Sequence, residues 1–138
     1  MNHYKIFTLE EANKLLPKIT EILLELQYLY SEIVKKQVEI DTLELIYHNG
    51  KMPKENPHLM LSEAIEQLHH SYNQFQHHIT ELTNLGCTLK DLQIGLIDFY
   101  ASRNNELVLL CWKLGEKSIQ YWHPMETGFT SRQSIDFL

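Results

Sequence analysis

The chain has 138 residues, a formal net charge of −6 and two cysteines. This length fits a single domain, residues 1–138, that buries a core without disulfides or metal, so no cofactor is expected. An acidic chain with scattered basic residues lacks the cationic face that nucleic acids and anionic membrane surfaces require, so neither is an expected partner. The sequence contains neither a signal-peptide pattern nor an apolar run long enough to span a bilayer, which predicts a cytoplasmic protein.

The start of the first helical region carries a capping signal. Thr8 and Glu11 have the spacing of a capping box, in which each side chain hydrogen-bonds the other residue's backbone amide. A short N-terminal helix is predicted from about Leu9 to Leu15. Pro17 has no amide hydrogen, so it either kinks this helix or begins the next one.

Two longer helices are predicted to form an antiparallel hairpin within residues 9–86. Apolar residues recur in a heptad rhythm over residues 17–47, and a second heptad pattern begins near Leu59. The segment His48–His58 contains an Asn-Gly pair and two prolines, which predict a loop. Gly86 is placed to end the second helix in the left-handed conformation.

Residues 87–138 are predicted to form the β part of an α+β fold. Three short runs rich in β-branched and aromatic residues, GLIDFYA, ELVLLCWKL and SIQYWH, predict a three-stranded antiparallel meander. Both faces of this sheet are largely apolar, so both need a covering layer. An irregular C-terminal tail is predicted to act as a clasp over one of them.

A provisional register decides which side chains share a face of the sheet. Turn centres near Asn104 and between Gly115 and Glu116 place Asp98 and His123 on the same face. The complete predicted face consists of Leu96, Asp98, Tyr100, Val108, Leu110, Trp112, Ile119, Tyr121 and His123. Asp98 and His123 are the candidate acid–base residues, but two strand spacings separate their backbones by about 10 Å. A histidine hydrogen-bonded in a structural cluster is therefore favoured over a catalytic dyad.

The segment YWHPMETGFTSR, from Tyr121 to Arg132, allows two interpretations. As a clasp, it turns with a positive φ at Gly128, and Arg132 pairs with Asp98 or Glu126. As a ligand site, it binds a small anion with Arg132 as the anchor. The candidate ligand-binding residues are Trp112, Trp122, Glu126 and Arg132. The clasp is favoured because no nucleophile or phosphate-loop motif accompanies these residues; whether the protein is an enzyme stays open.

The histidine-rich second helix offers a candidate metal site. Glu66 and His69 have the Glu-x-x-His spacing of carboxylate-bridged di-metal bundles. Both residues are predicted to flank the apolar seam rather than point into it. A solvated helix face is therefore favoured over a metal site.

The hairpin is predicted to have more apolar surface than the short sheet covers. A second stripe on the first helix consists of Leu23, Tyr30, Val34, Val38 and Leu45. An exposed stripe of this size usually marks an interface. The simplest arrangement is a homodimer in which two hairpins form a four-helix bundle. The alternative is that the tail and the N-terminal helix cover the stripe within one chain.

Four motifs together resemble a bacterial family known as domain of unknown function 2203. In chain order they read FTLEEANKLLP, KDLQIGLIDF, LLCWKLGE and YWHPMETGFTSRQ, and the resemblance covers nearly the whole chain apart from the middle of the hairpin. The residues that recur in the family match Gly95, Asp98, Phe99, Trp112, Gly115, Trp122, His123, Gly128, Phe129 and Arg132. A proline often stands at the position of Tyr100, so the exit from the first strand can differ.

The resemblance implies no activity, so it marks positions without assigning roles. The favoured hypothesis is a non-enzymatic, self-associating module that acts through protein contacts. The alternative is a protein or enzyme that binds a small anionic ligand at the end of the sheet, using Asp98, His123, Glu126 and Arg132.

Overall fold

The computed structural model describes residues 5–49 and 57–136. Its elements are helix α1 (Leu9–His48), helix α2 (Pro57–Leu85), strands β1 (Thr88–Asp91), β2 (Leu96–Arg103), β3 (Glu106–Lys113) and β4 (Tyr121–Pro124), a 3₁₀ helix (Phe129–Ser131) and strand β5 (Gln133–Ser134). Two long helices and an antiparallel sheet in the order β1-β2-β3-β4-β5 make an α+β fold, as predicted. The prediction of three strands was wrong, because β1 and β5 add to the two edges. Most of the predicted interhelical loop lies outside the described residues.

The N-terminus of α1 is capped as the sequence predicted. The amide of Thr8 donates to Glu11 Oε1 over 2.9 Å, and the amide of Glu11 donates to Thr8 Oγ1 over 3.1 Å. The hydrogen bond from the Thr8 amide, followed by a side-chain hydrogen bond with Thr8, holds the pKa of the Glu11 carboxylate below its ordinary value of 4.5. The capping box therefore decides where the helix begins.

Helix α1 continues through Pro17, so the prediction of a separate short N-terminal helix was wrong. A proline inside a helix removes one hydrogen bond and costs about 3 kcal/mol. Ala12, Leu16, Ile19 and Ile22 on the two sides of the proline are all buried. Packing of this apolar face outweighs the cost of the proline.

The chain divides into two compact units whose boundary cuts both helices. The sheet unit comprises the described parts of Met1–Leu24 and Thr80–Leu138, and it contains the whole sheet. The hairpin unit comprises the described parts of Glu25–Ile79, and it is entirely helical apart from Asn49. No helix in the described part of the chain is long and apolar enough to cross a bilayer.

The sheet unit has an aromatic core on one face of the sheet. Ile97, Phe99, Leu110, Trp112 and Trp122 are buried there.

The N-terminal segment is bound to this unit by three contacts. Phe7 packs edge-to-face on Phe99 with 5.2 Å between ring centroids, and its amide donates to the Tyr100 carbonyl over 2.7 Å. Asn13 Oδ1 accepts a hydrogen bond of 2.8 Å from the amide of Ile119. The first turns of α1 are thus part of the same core as the sheet.

The hairpin unit has a thinner core. Ile40, Leu43 and Ala64 are buried against one another, and Met60, Leu61 and Leu68 pack partly buried around them. Leu26 and Leu29 are also buried. Two helices alone bury one seam each, so most of their circumference stays exposed.

The register of β3 differs by one residue from the prediction. Asn104 and Asn105 both have positive φ, 52° and 67°, and form a two-residue turn that pairs Arg103 with Glu106. Positive φ at both central residues is typical of a type I′ hairpin. The pairing of β3 with β4 is shifted by one residue as well, since Leu109 rather than Val108 faces His123.

A shift of one residue moves the side chains of β3 to the opposite face of the sheet. Cys111, and not Leu110, therefore lies between Asp98 and Tyr121 on the face that carries His123. The two shifts cancel between β2 and β4, so Asp98 and His123 share a face as predicted.

Candidate functional site

A buried aspartate–histidine pair joins β2 to β4. Asp98 Oδ2 lies 3.1 Å from His123 Nε2, and both side chains are 2% exposed. The other ring nitrogen, Nδ1, lies 2.8 Å from the carbonyl oxygen of Pro124. A carbonyl oxygen only accepts, so Nδ1 carries a hydrogen, and a second proton must lie between Nε2 and the carboxylate. The pair is thus either imidazolium–carboxylate or imidazole–carboxylic acid, and it is neutral as a whole.

The sequence argument that Asp98 and His123 are too far apart for a direct contact was wrong. It considered only the separation of about 10 Å between their backbones across the middle strand, and not the reach of the two side chains. The actual register places Cys111 there, and its small side chain leaves space for the two longer ones to lean across β3 and meet.

Cys111 completes a buried group of three. Burial, followed by the negative charge of Asp98, raises the pKa of its thiol to about 12. Smaller contributions come from the charge of Arg132, which lowers the pKa, and from a hydrogen-bonding interaction with Asp98, which raises it. The thiol is therefore protonated and unreactive at neutral pH in the absence of a cation.

Within the described residues, Asp98, Cys111 and His123 are the one group of three potential metal ligands. One ligand atom from each lies within 4.8 Å of those from the other two. The second carboxylate oxygen, Asp98 Oδ1, is buried and makes no hydrogen bond of ordinary geometry. Unpaired buried oxygens are uncommon in folded proteins and require an explanation.

Arg132 has a different partner from the predicted ones. Its guanidinium bonds Glu116 Oε2 over 2.6 Å and lies 3.9 Å from the ring centroid of Tyr121 and 4.8 Å from that of Phe129. Glu126 is exposed. The expected pairing of Arg132 with Asp98 or Glu126 was therefore wrong.

The tail beyond β4 has more regular structure than predicted. It forms a turn, the 3₁₀ helix and β5, whose Ser134 and Gln133 pair with Tyr121 and Trp122. Gly128 has φ −133°, so the predicted positive φ is also wrong. The described part of the tail is nonetheless attached to the sheet, through this pairing and through Arg132.

The two tryptophans lie on the opposite face of the sheet from Asp98 and His123. Trp112 is 2% exposed and donates its indole hydrogen to the carbonyl of Glu116 over 2.9 Å. Trp122 is 5% exposed, and the Arg103 guanidinium lies 4.5 Å from its ring. The structure therefore does not bring the predicted ligand-binding residues into one pocket.

The candidate metal ligands on α2 are both exposed. Glu66 lines a shallow groove on the hairpin unit with Lys36 and His70, whereas His69 is not among its lining residues. Neither Glu66 nor His69 belongs to a group of three potential ligands in the described residues.

The predicted apolar stripe on α1 is exposed over most of its length. Tyr30, Val34, Val38 and Leu45 are 44–63% exposed. Leu23 is fully buried within the sheet unit, so its inclusion in an exposed stripe was wrong.

The family model described as "Uncharacterized conserved protein (DUF2203)" matches residues 5–135 of this chain. The chain belongs to this family. The comparisons with curated proteins and with solved structures give no match. Membership confirms the resemblance seen in the sequence motifs and assigns no chemistry to any DUF2203 residue.

Sequence reasoning missed the roles of two residues. The predicted register left Cys111 off the face that carries Asp98 and His123, and Glu116 was considered only as part of a turn, not as the partner of Arg132. A correct register would have identified Cys111, since the two-residue Asn-Asn turn is the signal that moves it beside Asp98.

Proposed function

We propose that this protein is a non-enzymatic, self-associating module whose hairpin unit pairs with that of a second copy. The observation that carries the proposal is the exposed apolar stripe formed by Tyr30, Val34, Val38 and Leu45. At 3.6 residues per turn these four side chains fall within an arc of about 80° on α1. Exposed apolar residues concentrated on one arc favour an interface over chance exposure.

Helix α2 carries exposed apolar residues as well. Ile65 and Tyr72 are 36% and 51% exposed, and their spacing of seven residues places them on one face. When each helix is viewed from its N-terminus, the exposed apolar face is reached from the buried seam by turning in the same direction. Because the two helices run antiparallel, their exposed apolar faces then lie on the same side of the hairpin. A two-fold axis perpendicular to that side would bring two hairpins together as a four-helix bundle.

The thin core of the hairpin unit supports the same proposal. Few of its side chains are fully buried, while bulky apolar residues are exposed on both helices. Burying such surface against a second copy contributes about 25 cal/mol for each square ångström removed from water.

The test compares two tyrosines on the same helix. Tyr30 lies on the stripe and is 56% exposed; Tyr28 is 58% exposed and lies on the other side of the hairpin. We expect sedimentation or light scattering of the wild-type chain at micromolar concentration to give about twice the chain mass of 16.3 kDa.

Tyr30→Glu should weaken the dimer by at least about 100-fold, because it buries two unpaired charges at the two-fold interface. Tyr28→Glu should leave the dimer unchanged. A wild-type monomer, or equal effects of the two substitutions, would contradict the proposal.

The alternative function, binding of a small anionic ligand near Arg132, has weaker support. The guanidinium already has a carboxylate partner in Glu116, and the two tryptophans lie on the other face from Asp98 and His123. An anion would have to displace Glu116 from a bond of 2.6 Å.

A further inference from the structure

The buried group on β2, β3 and β4 contains three different donor types. Asp98 offers carboxylate oxygens, Cys111 a sulfur and His123 an imidazole nitrogen, and each residue is at most 2% exposed. One side chain comes from each of three adjacent strands on the same face of the sheet. The strand pairing holds their backbones in place without any bound ion.

His123 is oriented as a metal-binding histidine usually is. Its Nδ1 hydrogen is donated to the Pro124 carbonyl over 2.8 Å, which fixes the tautomer and the plane of the ring. Histidines that ligate metals through one ring nitrogen commonly donate the other N–H to a backbone carbonyl or carboxylate. When an ion displaces the proton between Nε2 and the carboxylate, the Nε2 lone pair faces the space shared with Asp98 and Cys111.

The distances are close to those of a coordinated ion. Ligand atoms around a tetrahedral zinc ion lie about 3.3 Å apart for nitrogen and oxygen and about 3.6 Å apart when one is sulfur. The Nε2–Oδ2 separation is 3.1 Å. The Cys111 Sγ lies within 4.8 Å of a ring nitrogen of His123 and of a carboxylate oxygen of Asp98.

Charge is conserved when a divalent ion replaces protons in this cluster. Without an ion, the cluster holds the thiol proton and the proton shared by Asp98 and His123, and its net charge is zero. A dication that displaces both protons leaves a carboxylate, a thiolate and a neutral imidazole around two positive charges, again with no net charge. Burial therefore does not oppose the exchange in the way it opposes the entry of an isolated charge.

We propose that Asp98, Cys111 and His123 bind one divalent transition-metal ion of the zinc type, which crosslinks β2, β3 and β4. A mixed set of nitrogen, oxygen and thiolate ligands favours zinc and cobalt over magnesium and calcium. The buried Asp98 Oδ1, which makes no ordinary hydrogen bond, supplies a further oxygen ligand. The burial of all three side chains suits a structural ion rather than one that activates a substrate.

Cobalt(II) tests the proposal because it reports its ligands optically. The full chain without an affinity tag is unfolded and refolded with a reductant and cobalt(II), so that the ion does not have to enter a closed core. We expect one equivalent to bind with a thiolate-to-cobalt charge-transfer band in the near ultraviolet. Zinc(II) should remove the band.

The two cysteines provide a matched pair of variants. Cys111→Ser should abolish the charge-transfer band and lower cobalt affinity by at least about 100-fold. Cys87→Ser removes the other buried thiol, whose Sγ lies 3.5 Å from the carbonyl oxygen of Leu82, and should change neither. Exposed histidines such as His69 and His70 can bind cobalt, but they give no thiolate band.

Zinc should also raise the melting temperature of the wild-type chain by at least about 5 °C at a 100-fold excess over its dissociation constant. The proposal is overturned if refolded wild-type protein gives no charge-transfer band, if the band persists in Cys111→Ser, or if cobalt binds only without the band. These wild-type measurements decide the matter even if Cys111→Ser fails to fold. The outcome is independent of dimerisation, which involves the hairpin unit.

Discussion

One stripe of helix α1 is buried at one end and exposed at the other. Leu23 is fully buried in the sheet unit, whereas Tyr30, Val34, Val38 and Leu45 on the same arc of the helix are exposed in the hairpin unit. The residue types are alike, so the sequence pattern alone does not decide their burial. What decides it is the layer packed on each segment: α1 joins a sheet core in one unit, and in the other it packs with α2 through a narrow seam.

The two units also differ in how they use polar groups. The sheet unit buries a carboxylate, an imidazole and a thiol at its centre, and it half-buries an arginine–glutamate pair at its edge. The ion pairs Lys35–Glu32 and Lys36–Glu39 of the hairpin unit are more exposed. Stability and any bound ion should therefore depend on the sheet unit, and association on the hairpin unit.

The largest expected effect contrasts two aromatic side chains, one in each unit. Phe99→Ala should lower the free energy of unfolding by about 3–5 kcal/mol, because it removes a fully buried ring that packs on Phe7. Tyr28→Ala, on the exposed side of the hairpin unit, should change it by less than about 0.5 kcal/mol. Urea unfolding of both variants measures the difference, and similar losses would remove the contrast between the units.

The next effect concerns a buried and an exposed carboxylate. Asp98→Ala should cost about 3 kcal/mol in the presence of a chelator, because His123 loses its partner inside the core. Asp41→Ala, which removes an exposed acceptor 2.9 Å from Gln37 Nε2, should cost less than about 0.5 kcal/mol. Thermal unfolding followed by circular dichroism compares the two. A loss at Asp98 no larger than that at Asp41 would mean that the buried pair does not stabilise the sheet unit.

A smaller effect tests the clasp at the edge of the sheet. Arg132→Ala should cost about 2 kcal/mol, since the side chain is 11% exposed and bonds Glu116. Lys35→Ala in the hairpin unit should cost almost nothing, because 72% of the lysine side chain is exposed. If Arg132→Ala leaves stability unchanged but abolishes binding of an anion such as phosphate, the ligand-site interpretation replaces the clasp.

The smallest effect compares two threonines, one before the start of α1 and one near its end. Thr8→Ala should cost about 1 kcal/mol, because it removes the N-cap of α1. Thr42→Ala in the hairpin unit removes only a bond from its hydroxyl to the Val38 carbonyl, within the helix, and should be nearly neutral. Chemical unfolding at pH 7 measures both, and equal costs would contradict the role of the cap.

The cap also predicts a dependence on pH. The pKa of Glu11 is lowered in the folded state by its hydrogen bonds to Thr8. Its contribution to stability is therefore fully present above the ordinary value of 4.5 and is lost as the pH falls through the lower folded-state pKa. The stability difference between wild type and Glu11→Gln should shrink over that range, whereas a constant difference would show that the carboxylate charge plays no part.

The parts of the fold that follow local rules were predicted from the sequence. The capping box at Thr8 and Glu11, the left-handed Gly86 with φ 94° after α2, and the two helices all appear in the structure. Each depends on residues a few positions apart. The central residues of β2 and β3 were also predicted, because their runs of β-branched and aromatic residues are long enough to identify as strands.

Other features depend on neighbours distant in sequence, and these were missed. Strands β1 and β5, with sequences TLKD and QS, carry no strand pattern and are strands because they lie against a sheet edge. Helix α1 passes Pro17 because packing on both sides outweighs a local break. The Asp98–His123 contact required the correct register of β3, which the two-residue turn at Asn104 and Asn105 sets.

Local sequence patterns were enough to identify the two helical regions, the start of α1 at its capping box, the end of α2 before Gly86, and an antiparallel sheet in the C-terminal half. All of these depend on local hydrogen bonding and apolar periodicity. The tertiary structure alone decided which face of β3 accompanies Asp98, which acid Arg132 binds, and which part of the α1 stripe is buried. A one-residue change of register reverses every side chain of a strand. The turn at Asn104 and Asn105 and the packing of both faces of the sheet together select the register that the structure has.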